Sequence, residues 1–326
     1  MKILIASSIC PDALAKLRNE HDVVCAVNAP EQELCAAIAD CDVLVFRSGV
    51  QINQHVMSSA PNLRLLIRAG SGLDNLDFEY SRQRGIQLVR IPEPGAQAVA
   101  ELAFGMMIHL ARQIRFNDSE LRKGHWTKQT TTGYVLRNKV LGIIGAGNIG
   151  SRVGQMGTAW GMRAMGCVEN PTAAKESVLD QKKIRLTSFA EVVKHADFLT
   201  IHVPKQKSTL NLVNTEVLSW MKPNSFLINM ARGGIVDEAA LLHALQHGKG
   251  PAGAALDVHQ KEGEGNISPL AGLPNVVLTP HIGSATVDTI REIGVRVIET
   301  IELLKPQKNG TVQCENAALV RRQEPK

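Results

Sequence analysis

The sequence predicts an α/β protein of two parallel-sheet domains, Rossmann-like and flavodoxin-like, with an interdomain cleft. Three observations carry that prediction. The chain has 326 residues, more than a single hydrophobic core usually fills. Its hydrophobic content is 44% but its aromatic content only 4%, which implies a core of Val, Ile, Leu and Ala, as in parallel sheets covered by helices on both faces. Short apolar runs alternate with helical patterns along most of the chain, the signature of βαβ units.

The elements follow in order. Apolar runs at residues 2–6, 23–27, 43–46, 63–68 and 87–90 read as strands, with a helix at 11–19 and another beginning after Pro30. Together they make a first α/β lobe. From Gln97 to about Leu121 the segment AVAELAFGMMIHLARQI has helical spacing and no internal proline, and it predicts one long helix joining two lobes. A polar stretch with Gly124, Thr130 to Thr132 and Gly133 follows, and the apolar run 140–144 opens a second βαβ series that continues to His281. A last helix, about 288–304, comes too late to found a new domain and is expected to return to the first lobe. The tail after Pro306 is polar and expected to be loose.

Composition excludes several classes of function. The net charge is +5, but basic residues are interspersed with 31 acidic ones, and adjacent basic residues come only as pairs, such as Arg321 with Arg322 in the tail. No nucleic-acid surface is implied, while a small anionic substrate is compatible with this balance. Cys10, Cys25, Cys35, Cys41, Cys167 and Cys314 form no CxxC pair and no ligand spacing with histidine, so neither a disulfide framework nor a metal site is expected. The opening MKILIAS reads as a first strand, not a signal peptide, and no apolar run approaches the roughly 20 residues of a membrane span. These features point to a cytoplasmic protein with reduced thiols.

The segment LGIIGAGNIGSRVGQMG holds a GxGxxG pattern that directly follows an apolar strand and directly opens a helix. Gly145 permits the tight turn, Gly147 lets the backbone approach a pyrophosphate, and Gly150 lets helix and strand pack closely. Asn148 and Ile149 begin the helix, whose free N–H groups face the phosphates. In this context the pattern predicts a dinucleotide site. About 20 residues on, an acid is expected against the adenosine ribose. By spacing Val168 occupies that place and Glu169 follows it, so Glu169 is either the ribose contact or a solvated turn residue. No Arg or Lys follows at once to receive a 2′-phosphate, which favours NAD and leaves NADP open.

Downstream stand HVPKQKSTLNLVN, MKPNSFLINMARGGIVDEAALLHAL, GAALDVHQKEG and TPHIGSAT. With RAGSGLDNLD in the first lobe, their order and spacing resemble the D-2-hydroxyacid dehydrogenase family, nearest to its short phosphoglycerate dehydrogenase type. The chemistry such an enzyme needs can be matched to residue types. One group must take the hydroxyl proton as hydride leaves the same carbon, and another must hold the substrate carboxylate. His281 lies at the turn after the strand VVLTP, where strand ends face a ligand crevice. Arg232, after SFLINM, offers a fork for a carboxylate. The resemblance places the acid that orients the histidine at Glu262, although Gly263 stands where the family has proline and His259 where it has an aromatic residue. It further implies cofactor contacts at His202, Val203, Pro204, Thr209, Ala231, Asp257 and Gly283, a substrate-binding domain of residues 1–97 with 288–326, an NAD-binding domain of 98–287, and a homodimer built through the helix after Gln97 and the region of Trp126.

In the first lobe, Gly70 and Gly72 flank Ser71, and successive N–H groups there can form a nest for an anion. The resemblance assigns Ser71 and Gly72 to the substrate carboxylate. Arg47 and Arg68 each end an apolar strand, and two further cations suggest a second anionic group such as a phosphate. The first expectation is therefore 3-phosphoglycerate. Gly95, where the family often has Asn, removes a side-chain contact and keeps a glyoxylate or hydroxypyruvate reductase in view. Phosphite oxidation and a non-enzymatic NAD(H)-sensing, corepressor-like binding protein are the other readings.

Overall fold

A computed structural model describes residues 1–303 of the chain. Cys314, Arg321, Arg322 and the tail after Pro306 lie outside the described residues. The chain divides into two compact units, one of residues 1–95 joined by the segment from Ala285 onward, the other of residues 96–284.

The first unit is a five-stranded sheet. Its strands are β1 (Lys2–Ile5), β2 (Asp22–Cys25), β3 (Val43–Phe46), β4 (Leu65–Arg68) and β5 (Gln87–Arg90). All pairs are parallel, in the order β2-β1-β3-β4-β5. Side chains alternate between two cores because a strand has a period of two. Leu4, Leu44, Phe46 and Leu66 enter one, while Ile3, Ile5, Val43, Val45 and Ile67 enter the other. The helix Pro11–Glu20 opens with proline, whose fixed φ suits a first turn. The helix Val287–Leu303 turns Ile293, Val297 and Ile301 into the same core as Leu17.

The second unit holds β6 (Val140–Ile144), β7 (Arg163–Cys167), β8 (Ile184–Leu186), β9 (Phe198–Ile201), β10 (Phe226–Asn229), β11 (Gly253–Leu256) and β12 (Val276–Leu278). They form one parallel sheet in the order β12-β11-β10-β9-β6-β7-β8. Successive strands run outward from β6 in one direction as far as β8, then restart at β9 on its other side. Ligands bind beyond the strand ends at such a reversal. Strand residues again alternate: Leu199, Leu227 and Leu256 face one core, Phe198, Ile228 and Ala255 the other.

The joining helix differs from expectation. It begins at Glu93, with Pro94 in its first turn, and ends at Arg112, and a second helix spans Ile114–Arg122. The break is at Gln113, which adopts φ 50 with no glycine or proline to announce it. Gln113 Nε2 donates to the Thr132 carbonyl at 3.1 Å, and the Arg115 N–H donates to His109 Nε2 at 3.0 Å, so tertiary partners replace the lost helical continuity.

Candidate active site

The turn after β6 is shaped by its glycines. Gly145 has φ 88, and a Cβ on it would lie 2.7 Å from the His202 carbonyl oxygen at the end of β9. Gly150 packs on the Gly145 carbonyl too closely for any side chain. Gly147 is the contrary case: a Cβ there would meet nothing within 4 Å. Two glycines thus close the turn, and the third leaves open space at the N-terminus of the helix Asn148–Ala159, where an anion can approach bare backbone. This cradle fits a dinucleotide pyrophosphate.

Around it stand the other expected cofactor residues. Val168 follows β7 and packs into the core with Leu141 and Ile143, while Glu169 is exposed and accepts from Gln206 Nε2 at 3.2 Å. Thr209 spends its hydroxyl within its own loop, donating to the Pro204 carbonyl at 2.7 Å and accepting the Gln206 N–H at 2.9 Å. That fixes the segment carrying Val203 and Pro204. His202 Nε2 pairs with the Thr200 hydroxyl at 2.9 Å, and Nδ1 is buried without a partner among the described residues. Burial pulls this imidazole down to about 3, so it is neutral at ordinary pH.

Beyond β10, β11 and β12 lie the residues of the proposed chemistry. Asn229, buried at the end of β10, accepts the Ala231 N–H at 3.1 Å and donates to the Arg232 carbonyl at 3.2 Å, which turns the chain so that Arg232 projects from a fixed loop. Its own NH1 donates to the Ala231 carbonyl at 2.8 Å. Asp257, 2% exposed, ends β11 and organises the next turn. Its Oδ1 accepts the Thr279 hydroxyl at 2.6 Å and the Ile282 N–H at 2.8 Å, and its Oδ2 the Gly283 N–H at 2.8 Å. Any Cβ on Gly283 would sit 2.9 Å from that Oδ2.

The turn so held carries His281 at φ 54, a left-handed backbone uncommon for histidine. Its N–H donates to the Asp257 carbonyl at 2.7 Å, and its Nδ1 meets Glu262 Oε2 at 2.8 Å. Burial alone would raise the Glu262 carboxyl. The hydrogen bond and charge of His281, with the N–H and charge of His259, outweigh it and hold Glu262 below the usual carboxylate range. Ionised Glu262 therefore accepts a hydrogen bond from Nδ1, which leaves Nε2 as the ring nitrogen directed away from that carboxylate. A cavity of about 550 Å³ is lined by Glu262 and His281, with His259, Lys261 and Glu264. Asn229, Gln206 and His259 were not singled out as site residues from the sequence; a polar side chain ending the apolar run FLIN was the available signal for Asn229.

In the first unit, Arg68 is buried and donates from Nε to the Gly72 carbonyl at 2.9 Å and from NH1 to the Ala69 carbonyl at 3.3 Å. Its guanidinium lies 5.6 Å from the Phe46 ring centroid. It thereby shapes the loop that exposes Ser71. Arg47 is tied by its backbone, its N–H to the Ser7 hydroxyl at 2.9 Å and its carbonyl to Asn75 Nδ2 at 2.9 Å, and burial lowers its guanidinium from the ordinary value.

Comparison with known proteins is consistent with this geometry. Residues 104–283 match the family model described as D-isomer specific 2-hydroxyacid dehydrogenase, NAD binding domain. A D-3-phosphoglycerate dehydrogenase of Methanocaldococcus jannaschii is 37% identical over 302 residues, covering 93% of this chain and 57% of the relative. The chain thus spans little more than half the length of that relative. A hydroxypyruvate reductase of Thermotoga maritima is 36% identical over 293 residues, covering 89% of this chain and 94% of the relative. The crystal structure of the TT0316 protein from Thermus thermophilus superposes with a TM-score of 0.83 at 30% identity, covering 93% of this chain and 96% of that one.

Proposed function

The chain belongs to the D-isomer-specific 2-hydroxyacid dehydrogenase family, and from that premise we propose that it is an NAD-dependent oxidoreductase exchanging hydride with a small D-2-hydroxy acid. The observation that carries the reading is the His281 and Glu262 pair at 2.8 Å, at the carboxyl end of a parallel sheet whose β6 turn is a dinucleotide cradle. The nicotinamide, when bound, supplies or accepts the hydride. Gly145, Gly147, Asn148, Ile149 and Gly150 would hold the pyrophosphate, Glu169 the ribose, and the segment from His202 to Thr209, with Ala231, Asp257 and Gly283, the rest of the cofactor. A carboxylate at Glu169, steadied by Gln206, repels a 2′-phosphate and favours NAD over NADP.

In the reducing direction His281 donates a proton from Nε2 to the carbonyl oxygen of a 2-oxo acid, and in oxidation it takes the hydroxyl proton back. Glu262 stabilises the protonated ring and fixes its orientation. Arg232 grips the substrate carboxylate; in the first unit, considered by itself, the N–H groups around Ser71 and Gly72 form an anion nest. With Arg47 and Arg68 as receptors for a second anion, 3-phosphoglycerate is the first candidate. Hydroxypyruvate is the second, favoured because Arg68 commits donors to Gly72 and Ala69 and because the hydroxypyruvate reductase is matched over 94% of its length.

The test is turnover of NADH with a panel of 2-oxo acids, and of NAD with the matching hydroxy acids. His281→Ala is expected to lower kcat by on the order of a hundredfold or more with NADH binding retained. Protein that binds NADH, turns over no acid and instead captures a peptide partner would favour the sensing, corepressor-like reading, and turnover of phosphite alone would change the donor. Among the described residues no helix is long and apolar enough to cross a membrane, and the five described cysteines are free. Exposed Ile114, Phe116, Leu121, Trp126 and Val135 support a homodimer through this region, and a single-chain mass in light scattering would refute that.

A further inference from the structure

We propose that His259 is the positioning residue that sets Glu262, His281 and Arg232 in register; the inference rests on the reading of these residues as a catalytic set. The loop bearing Glu262 has little stiffness of its own. Gly263 follows at φ 112 and Gly265 at φ 79, and glycine is the residue that loses most freedom on being ordered. Asn266 Nδ2 holds the Glu262 carbonyl at 3.1 Å; the Glu262 carboxylate is held instead by His281 and by His259, at the start of the same loop.

His259 touches each arm of the site with a different group. Its N–H donates to Glu262 Oε1 at 3.1 Å, leaving Oε2 for His281. Its carbonyl oxygen lies against Gly233, directly after Arg232, so closely that no side chain is possible there. Its ring Nε2 lies 2.9 Å from the Thr279 carbonyl, two residues before His281, whose own N–H reaches the same oxygen at 3.0 Å. A carbonyl partner requires the hydrogen on Nε2. Nδ1 is buried without a partner among the described residues, so the ring is retained at some cost in desolvation. Two of the three contacts are backbone. The ring bond is the one a substitution removes, and it ties the strand-end turn of His281 to the loop of Glu262.

The test compares His259→Phe, which keeps an aromatic ring and loses the donor, with His259→Gln, whose amide nitrogen reaches about where Nε2 lies. For Phe, kcat is expected to fall about tenfold with KM within about twofold, and for Gln to recover to within about threefold. The acid limb of the kcat profile for 2-oxo acid reduction should also move up in Phe. The titratable groups around Glu262 are His281 and His259, with Lys261 and Glu264 lining the same cavity. A misaligned His259 N–H releases a carboxyl now held low, so Glu262 protonates at higher pH. Hydrogen exchange of amides 259–266 supplies a readout independent of turnover, faster in Phe and restored in Gln. An active wild type whose Phe variant keeps full kcat, the same acid limb and the same exchange overturns the inference. A wild type inactive toward every acid, with exchange quickened only in Phe, sinks the dehydrogenase reading and leaves the tether standing.

Discussion

His202 makes the fold sensitive to acid in a way that can be calculated. Part of the residue remains accessible, but its Nδ1 is sealed from water and its Nε2 is bound to the fully buried Thr200. Burial moves the imidazole from 6.5 to about 3. The folded protein therefore binds no proton here across a range in which the unfolded chain does. Stability from this group is fully present above about 6.5 and is lost progressively as pH falls toward 3. At pH 5 the full shift corresponds to about 2 kcal/mol, and solvent at the accessible edge brings the expectation to about 1–2 kcal/mol. The assay is urea unfolding of wild type and His202→Gln at pH 8 and pH 5, without cofactor. Gln keeps a partner for Thr200 and cannot titrate, so the difference of differences isolates the imidazole. Wild type should lose about 1–2 kcal/mol more than the variant. Equal losses would refute the argument that this ring is neutral because it is buried.

Gly147→Ala should separate folding from cofactor binding. A Cβ there meets nothing within 4 Å, so the melting temperature should stay within a degree or two, while NADH affinity measured by fluorescence should fall at least tenfold; unchanged affinity would remove the pyrophosphate from this turn. Gly145→Ala should fail in both respects, since its φ of 88 and the His202 carbonyl leave no room, and a variant that folds and binds normally would contradict this. Asp257→Asn replaces an acceptor with a donor in a buried site that receives Thr279, Ile282 and Gly283. We expect a loss of about 1–3 kcal/mol in denaturant unfolding, and a neutral effect would show that the turn does not depend on the carboxylate. In the reducing direction, where His281 must carry its proton, Glu262→Gln should remove the acid limb of the kcat profile along with most of the rate, because the residue that must stay ionised is gone; an intact limb would assign it elsewhere.

Much of the fold was readable because buried parallel strands are apolar runs. Val43–Phe46 and Val140–Ile144 stand at the residues their hydrophobicity predicts. The glycine turn was equally readable, since backbone geometry at Gly145 and Gly150 admits little else. Less legible was anything set by contacts between distant loops. The break at Gln113 depends on Thr132 and His109, not on a local breaker. Gln206 reaches Glu169 across 37 residues, its loop crossing the end of β6 from β9 toward β7, and the His259 ring reaches Thr279 across 20, because the neighbouring strands β11 and β12 end side by side. Sequence spacing pointed to Glu262 and His281 through a motif, but their 2.8 Å contact is a product of topology.

On the proposed mechanism hydride passes directly to a carbon whose oxygen His281 protonates. Single turnover with NADH carrying deuterium at the transferring C4 position, followed by mass spectrometry of the product, tests it most directly. The expected product is a D-2-hydroxy acid with deuterium on C2, formed at a rate that collapses in His281→Ala. Product free of deuterium, or labelled product formed equally fast without the imidazole, would contradict it.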